Sequence, residues 1–196
     1  MTQSSGESNS SDTETTSSPE VRREAVHFEK ERGVTEIRIL RRVAHAAVQL
    51  AETDIGSGRL QVLQSLAASS VPVFLVKLLP NGLSFAIRGE NVDACNTALQ
   101  EIGVTFKLVT GLSVITTIAG AMRDLSGIMA AIYEALNGAG IRVQQTGDAY
   151  NAVLCLVEGS RSEEAAQVLR KRFALDEQDF ETEKERGVPG AGLKAL

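Results

Sequence analysis

Gly33-Val34-Thr35 and, further on, Asp54-Ile55-Gly56-Ser57 return 70 residues later as Gly103-Val104-Thr105 and Asp124-Leu125-Ser126-Gly127. In the same register Ala51 falls on Ala121, Leu66 on Leu136, Val73 on Val143, Asn81 on Asn151, Gly89 on Gly159 and Leu99 on Leu169. Turn residues meet turn residues and apolar faces meet apolar faces along the whole stretch. A fixed period of this length marks a duplicated folding unit. The repeat covers 33–102 and 103–172, and with its last helical turn the second unit runs to residue 175.

Each unit shows the same order of elements. A β-rich run (36–50 and 106–120) leads through a polar, Gly-containing turn into a helix. That helix carries Leu63, Leu66 and Ala67 in the first unit, and Ile128, Ile132, Ala135, Leu136 and Ala139 in the second, at three-to-four spacing. Ser69-Ser70 and Gly138-Ala139-Gly140 end it. Two strands follow in the first unit, 71–79 and 83–88, joined at Pro80-Asn81-Gly82, where Asn-Gly is expected to supply the positive φ of a tight hairpin. A second helix starts near Asn91, burying Val92, Cys95, Leu99 and Ile102; its counterpart starts near Ser162, burying Ala165, Leu169 and Phe173. Asn91 and Ser162 are the expected N-caps. The fold class is therefore α+β: two ferredoxin-like α/β sandwich units of order βαββαβ, each an antiparallel sheet with two helices on one face, sharing a strand across the join.

The strand 71–79 is apolar on both faces, with Phe74, Val76 and Leu78 alternating against Val71, Val73 and Leu75. Helices cover one face of such a sheet, so the second needs another cover. The expectation is an interface through Phe74, Val76 and Leu78, most simply a homodimer. Packing on the chain's own 20–32 segment is the alternative.

Composition bounds the rest. The chain has 196 residues, 43% of them apolar, and a net charge of −5. No clustered basic face suits nucleic acid, and Arg38, Arg41 and Arg42 read as a solvated strand end. No stretch approaches the roughly 20 apolar residues that span a bilayer, and the N-terminus lacks a basic-then-apolar leader, so a cytoplasmic protein is expected. Cys95 and Cys155 read as small core residues. Residues 1–18, rich in Ser, Thr and acid, read as a disordered tail; 19–32 as a short helix opened by Pro19; and 176–196 as a frayed, charged helix and loose tail. His27 and His45 have no second ligand or nucleophile at a useful spacing, and no metal cluster, paired carboxylates or Ser-His-Asp set stands out. A non-catalytic binding module without metal or cofactor is expected.

Its chemistry lies in the turn from first strand to first helix. In the second unit, Asp124 can hold an ammonium group, and the backbone amides near Ser126, Gly127 and Ile128 open a helix N-terminus that favours a carboxylate. Helix capping by Asp124 or Ser126 is the cheaper account of the turn alone. The equivalent turn of the first unit, with Asp54 and Gly56, could receive an anion but lacks the Lys of a phosphate loop.

The second unit also carries a resemblance. Gly120-Ala121-Met122-Arg123-Asp124-Leu125-Ser126-Gly127, the helix after it, Gly140-Ile141-Arg142-Val143-Gln144 and Thr146-Gly147-Asp148 resemble an ACT domain, specifically the second ACT domain of aspartate kinases. Gly33-Val34-Thr35 is similar to that family's entry into its first ACT domain. The resemblance implies a tandem amino-acid sensor, an allosteric regulator without its kinase half. It places Gln144, Thr146, Arg142 and Asp148 in the ligand-facing region beside Asp124. Pro72 and Phe74 stand where the family's first domain has Asn and Asp, Arg142 replaces the Asn of the second, and Ser126 replaces Pro. The implied partners are a small amino acid, a second copy of the chain, and an amino-acid biosynthetic enzyme. The alternatives are a ligand-free interaction module and a separately encoded regulatory subunit of an aspartate kinase.

Overall fold

The computed structural model describes residues 33–51, 54–120, 125–175 and 180–182. The expected tail 1–18 and helix 19–32 lie outside them, as do Asp124 and most of the C-terminal tail. The first unit contains β1 (Val34–Gln49), α1 (Ile55–Ala68), β2 (Phe74–Leu79), β3 (Gly82–Arg88) and α2 (Val92–Glu101). The second contains β4 (Thr105–Ala119), α3 (Leu125–Gly138), β5 (Gln145–Ala149), β6 (Ala152–Glu158) and α4 (Ser162–Phe173).

All of these strands join one antiparallel sheet of order β2-β3-β1-β4-β6-β5. Its two middle strands are long, at 16 and 15 residues, because each serves both units. The second half of β1 pairs with β3 and the first half of β4, which completes the first unit. The second half of β4 pairs with β6 and the first half of β1, which completes the second. The exchange of strands is thus reciprocal.

Both long strands kink where they cross from one unit to the other. Register shifts interrupt their pairing at Leu40/Val43 and Val43/His45, and Arg42 and Gly111 stand there with φ of 54° and 73°. Such bulges turn a strand sharply. Arg42 is therefore at the bend of a long strand rather than at a strand end, while Arg41 reaches α4 and donates to Ser162 Oγ (3.2 Å) and to Glu163. Gly89 lets the end of β3 approach the bend: a Cβ there would stand 2.9 Å from the Arg42 carbonyl oxygen.

The bend produces three cores. Val62, Leu66, Phe85, Cys95 and Leu99 pack between the first sheet half and α1/α2. Ile37, Ile39, Ile115, Ile132, Leu136, Cys155 and Leu169 do the same beneath α3/α4. The third core joins the opposite faces of the two sheet halves: Leu40, Val43, Ala86, Leu112, Val114 and Leu156 are buried, and Phe74, Leu75, Val109 and Leu154 pack on them. This is the cover that the two-sided strand requires. Phe74 packs on this shared core, whereas Val76 and Leu78 remain exposed, at 46% and 62%.

Several local expectations are corrected. The β2–β3 turn is Pro80-Asn81 with no positive φ, and Gly82 already belongs to β3, paired with Leu79 and Gln49. Glycine is needed at 82 because a Cβ would overlap the Val48 carbonyl oxygen. Asn91 makes no side-chain cap, since a 3-10 turn over Gly89–Asn91 leads into α2. Ser162 is the first residue of α4, its hydroxyl donating to the Gly159 carbonyl (2.8 Å). In the expected loose tail, Phe180–Thr182 forms a strand, β7, parallel to Ile37–Ile39. The first half of β1 has β4 on one side only, and this free edge accepts it.

The cysteines are core residues, as expected. Both are buried, and burial pushes the Cys95 thiol up to about 11 and the Cys155 thiol up to about 12. At pH 8 the native thiols should alkylate at least about a hundredfold more slowly than in denaturant. Mass spectrometry of iodoacetamide-treated protein checks this, and rapid native labelling would contradict it.

Candidate functional site

The described strand-to-helix turn is that of the first unit. Asp54 is the N-cap of α1: its Oδ1 accepts from the Ser57 amide at 3.1 Å, and its carbonyl accepts from the Gly58 amide at 3.1 Å. A helix leaves its first amides without intrahelical acceptors. With the Ser57 and Gly58 amides taken by Asp54, those of Ile55 and Gly56 are left for an outside acceptor. Gly56 keeps the approach open, because a Cβ there would meet only Asp54 Oδ1, at 3.9 Å. The hydrogen bonds from Ser57 hold the Asp54 carboxyl below its ordinary range, so it is charged at neutral pH.

Beside this turn lies a cavity of about 470 Å³, open to solvent. Gln49 and Leu50 line it from the end of β1, Ser57 and Gln61 from α1, and Thr105 from the start of β4. The volume falls in the range of small-molecule sites. Its chemistry is a carboxylate, two side-chain amides, two hydroxyls and a helix N-terminus around a small apolar wall. That set matches a zwitterion, with a cation at Asp54 and an anion at the side-chain amides and hydroxyls, in the positive field of the helix N-terminus.

The second-unit residues spread differently. Ser126, Gly127 and Ile128 lie in the first turn of α3, which begins at Leu125. Arg142 and Gln144 are exposed in the segment before β5, with the Gln144 amide donating to the Leu156 carbonyl at 2.8 Å. Thr146 is half-buried opposite Cys155, and Asp148 is exposed opposite Val153. Thr146 and Asp148 thus share β5, whereas the helix residues start a different element.

Sequence reasoning passed over the neighbour, Gln145. It is buried, at 7% exposure, and its side chain bridges the units. Its Oε1 accepts from Ser84 Oγ (3.0 Å) and from His45 Nε2 (2.8 Å), and its amide nitrogen donates to the Leu75 carbonyl. Burial lowers the His45 pKa, partly offset by the bond to Gln145, so the ring is neutral at neutral pH. A signal was present, since the repeat sets Gln145 on Leu75, a polar side chain in an apolar register.

The comparisons with known proteins fit this architecture. Residues 109–171 match the family model of the ACT domain. The match starts near the bend in β4 and ends within α4, so it falls on the second unit. The chain as a whole has the fold of aspartate kinase regulatory regions. It superposes on a chain of the aspartokinase alpha and beta subunits with a TM-score of 0.67 at 23% identity, covering 72% of this chain and 99% of that one. The regulatory subunit of aspartate kinase from Thermus thermophilus, in its ligand-free form, gives 0.63 at 14% identity, covering 71% and 98%. The allosteric aspartate kinase from Clostridium acetobutylicum gives 0.68 at 19%, covering 76% of this chain but 37% of the enzyme. At these identities the likeness is one of fold. No curated protein matches the chain in sequence. Among the described residues no helix is long and apolar enough to cross a membrane, and no group of His, Cys, Asp and Glu is placed to hold a metal ion.

Proposed function

We propose that the chain is a non-catalytic regulatory module that binds a small amino acid at the strand-to-helix turns of its ACT-like units. The observation that carries this reading is the 470 Å³ cavity at the start of α1, where a charged Asp54 shares the wall with the polar side chains of Gln49, Gln61 and Thr105. The ligand ammonium sits at Asp54, and its carboxylate at the side-chain amides and hydroxyl of Gln49, Gln61 and Thr105 in the same cavity. By the repeat, Asp124, Ser126, Gly127 and Ile128 form the corresponding turn of the second unit, and Arg142, Gln144, Thr146 and Asp148, in and before β5, select the ligand side chain.

The test is calorimetric titration with each of the twenty amino acids. Asp54→Ala should weaken binding at the first turn, and Asp124→Ala at the second, each by about tenfold, the usual scale of a lost charge-assisted contact. Binding through Asp54 also has a pH signature. Its pKa is depressed, so the charge and the affinity it supplies persist down through pH 5 and fall only below about pH 4. No binding at millimolar concentration, or equal affinity in both variants and the parent, leaves the ligand-free interaction module. Exposed Leu60, Val76 and Leu78 favour that second reading, with Val76 and Leu78 on edge strand β2 as the contact of a homodimer. The fold shared with regulatory subunits supports a third, a regulatory chain that works on a separate aspartate kinase; co-purification of the two checks it.

A further inference from the structure

The two edge strands of the bent sheet, β2 and β5, come together, yet they form no ladder with each other. What crosses between them is the side chain of Gln145, which donates to the Leu75 carbonyl while accepting from Ser84 and His45 of the first unit. The approximate twofold repeat explains the meeting, for Gln145 and Leu75 hold equivalent places. Leu75 is itself unusual. It stands at a register shift in β2 with φ of 50°, a left-handed conformation that strains a side-chain-bearing residue. Across the seam Gly147 makes room for it, since a Cβ there would overlap Leu75 Cδ2.

We propose that Gln145 is a latch holding the two units closed about the bend at Arg42 and Gly111, and that the seam it guards opens while both helix-backed cores stay folded. Three observations carry this. Each unit has its own complete core beneath its own helices, so separating the sheet halves exposes only the third. The seam combines a strained residue with a polar node, whose hydrogen bonds water can replace once it opens. The bend lies at paired bulges, where the long strands already depart from regular pairing. Units of this kind open below the cost of global unfolding.

A thiol between the sheet halves reads the seam directly. Ala86→Cys places one in the third core at a fully buried position, while native Cys95 and Cys155 report on the two helix-backed cores. In the full chain, adding Gln145→Leu should raise the alkylation rate at position 86 tenfold or more and leave Cys95 and Cys155 unchanged. Gly147→Ala, which crowds Leu75, should produce the same pattern without touching the latch. Rates that rise together at all three thiols would show ordinary destabilisation and overturn the proposal. So would an unchanged rate at position 86 in both variants. If neither variant yields folded protein, the seam does not open apart from the units and the latch is likewise rejected.

Discussion

Leu156→Asp should leave almost no folded protein at 25 °C. Leu156 is fully buried on β6, between Gln145 of β5 and Val114 of β4, on the face turned toward the first unit. The substitution removes a packed leucine, worth about 2–5 kcal/mol, and places a carboxylate among the apolar side chains of the third core, costing several more. A domain of this size has roughly 5–15 kcal/mol in total. Leu78→Asp, on an exposed strand position of the first unit, should change stability by only about 0.5 kcal/mol. The pair separates a face covered within the chain from one left open. The buried carboxyl would titrate high, so its penalty is absent when it is protonated and grows as pH rises through the ordinary carboxylate value near 3.9. Urea denaturation of both variants at pH 4 and pH 7 measures the contrast. Equal midpoints for Leu156→Asp and Leu78→Asp would mean that the two sheet halves do not pack together.

That packing is the part of the fold hardest to read in advance. The helix-backed cores are legible because their periodicity is local: Leu66 and Leu136, or Leu99 and Leu169, recur at 70 residues and are all buried. The two-sided apolar strand signalled that something must cover Phe74, but not what. The cover comes from Leu154, Leu156 and Val114, whose own alternation shows a second apolar face without naming its mate. The bends also shift the repeat. Val43 stands opposite Arg88 as Leu112 stands opposite Glu158, so the long strands correspond at 69 residues and the following elements at 70. A gap-free reading runs one residue out of step there, and one residue reverses the face of a strand.

The same limit governs the site. Asp54 and Gly56 could be chosen because a cap and a glycine at a helix entry have a local meaning; of the two, Asp54 lines the cavity. Gln144 and Gln145 are neighbours of equal propensity, and only tertiary pairing decides which is buried. Gln145 faces the first unit because its strand partner is Leu156, whose side chain points to the seam. A family resemblance drew attention to position 144; the hydrogen bonds lie at 145.

Gly82→Ala should be the most damaging single-methyl change among the described glycines. Sequence reasoning assigned Gly82 a role in positive φ, which predicts a modest cost, about 1–2 kcal/mol for a left-handed alanine. The structure gives it a different role. Gly82 opens β3 beside the end of β1, paired with Gln49, and the Leu50 amide donates to the Asn81 carbonyl at 2.9 Å. A Cβ at 82 would run into the Val48 carbonyl oxygen, which is backbone and so has no rotamer by which to withdraw. Relief requires the β1–β3 ladder to separate at the point where β2, β3 and the cavity-lining end of β1 converge. The expected cost is about 3 kcal/mol, the upper end of overpacking effects. Gly140→Ala is the matched control: its φ is 66° but nothing lies within 4 Å of the added carbon, so it should show the modest cost alone. Thermal unfolding of the two variants decides between the roles. If Gly140→Ala proved the more destabilising, backbone conformation rather than close approach would be what glycine supplies at the head of β3.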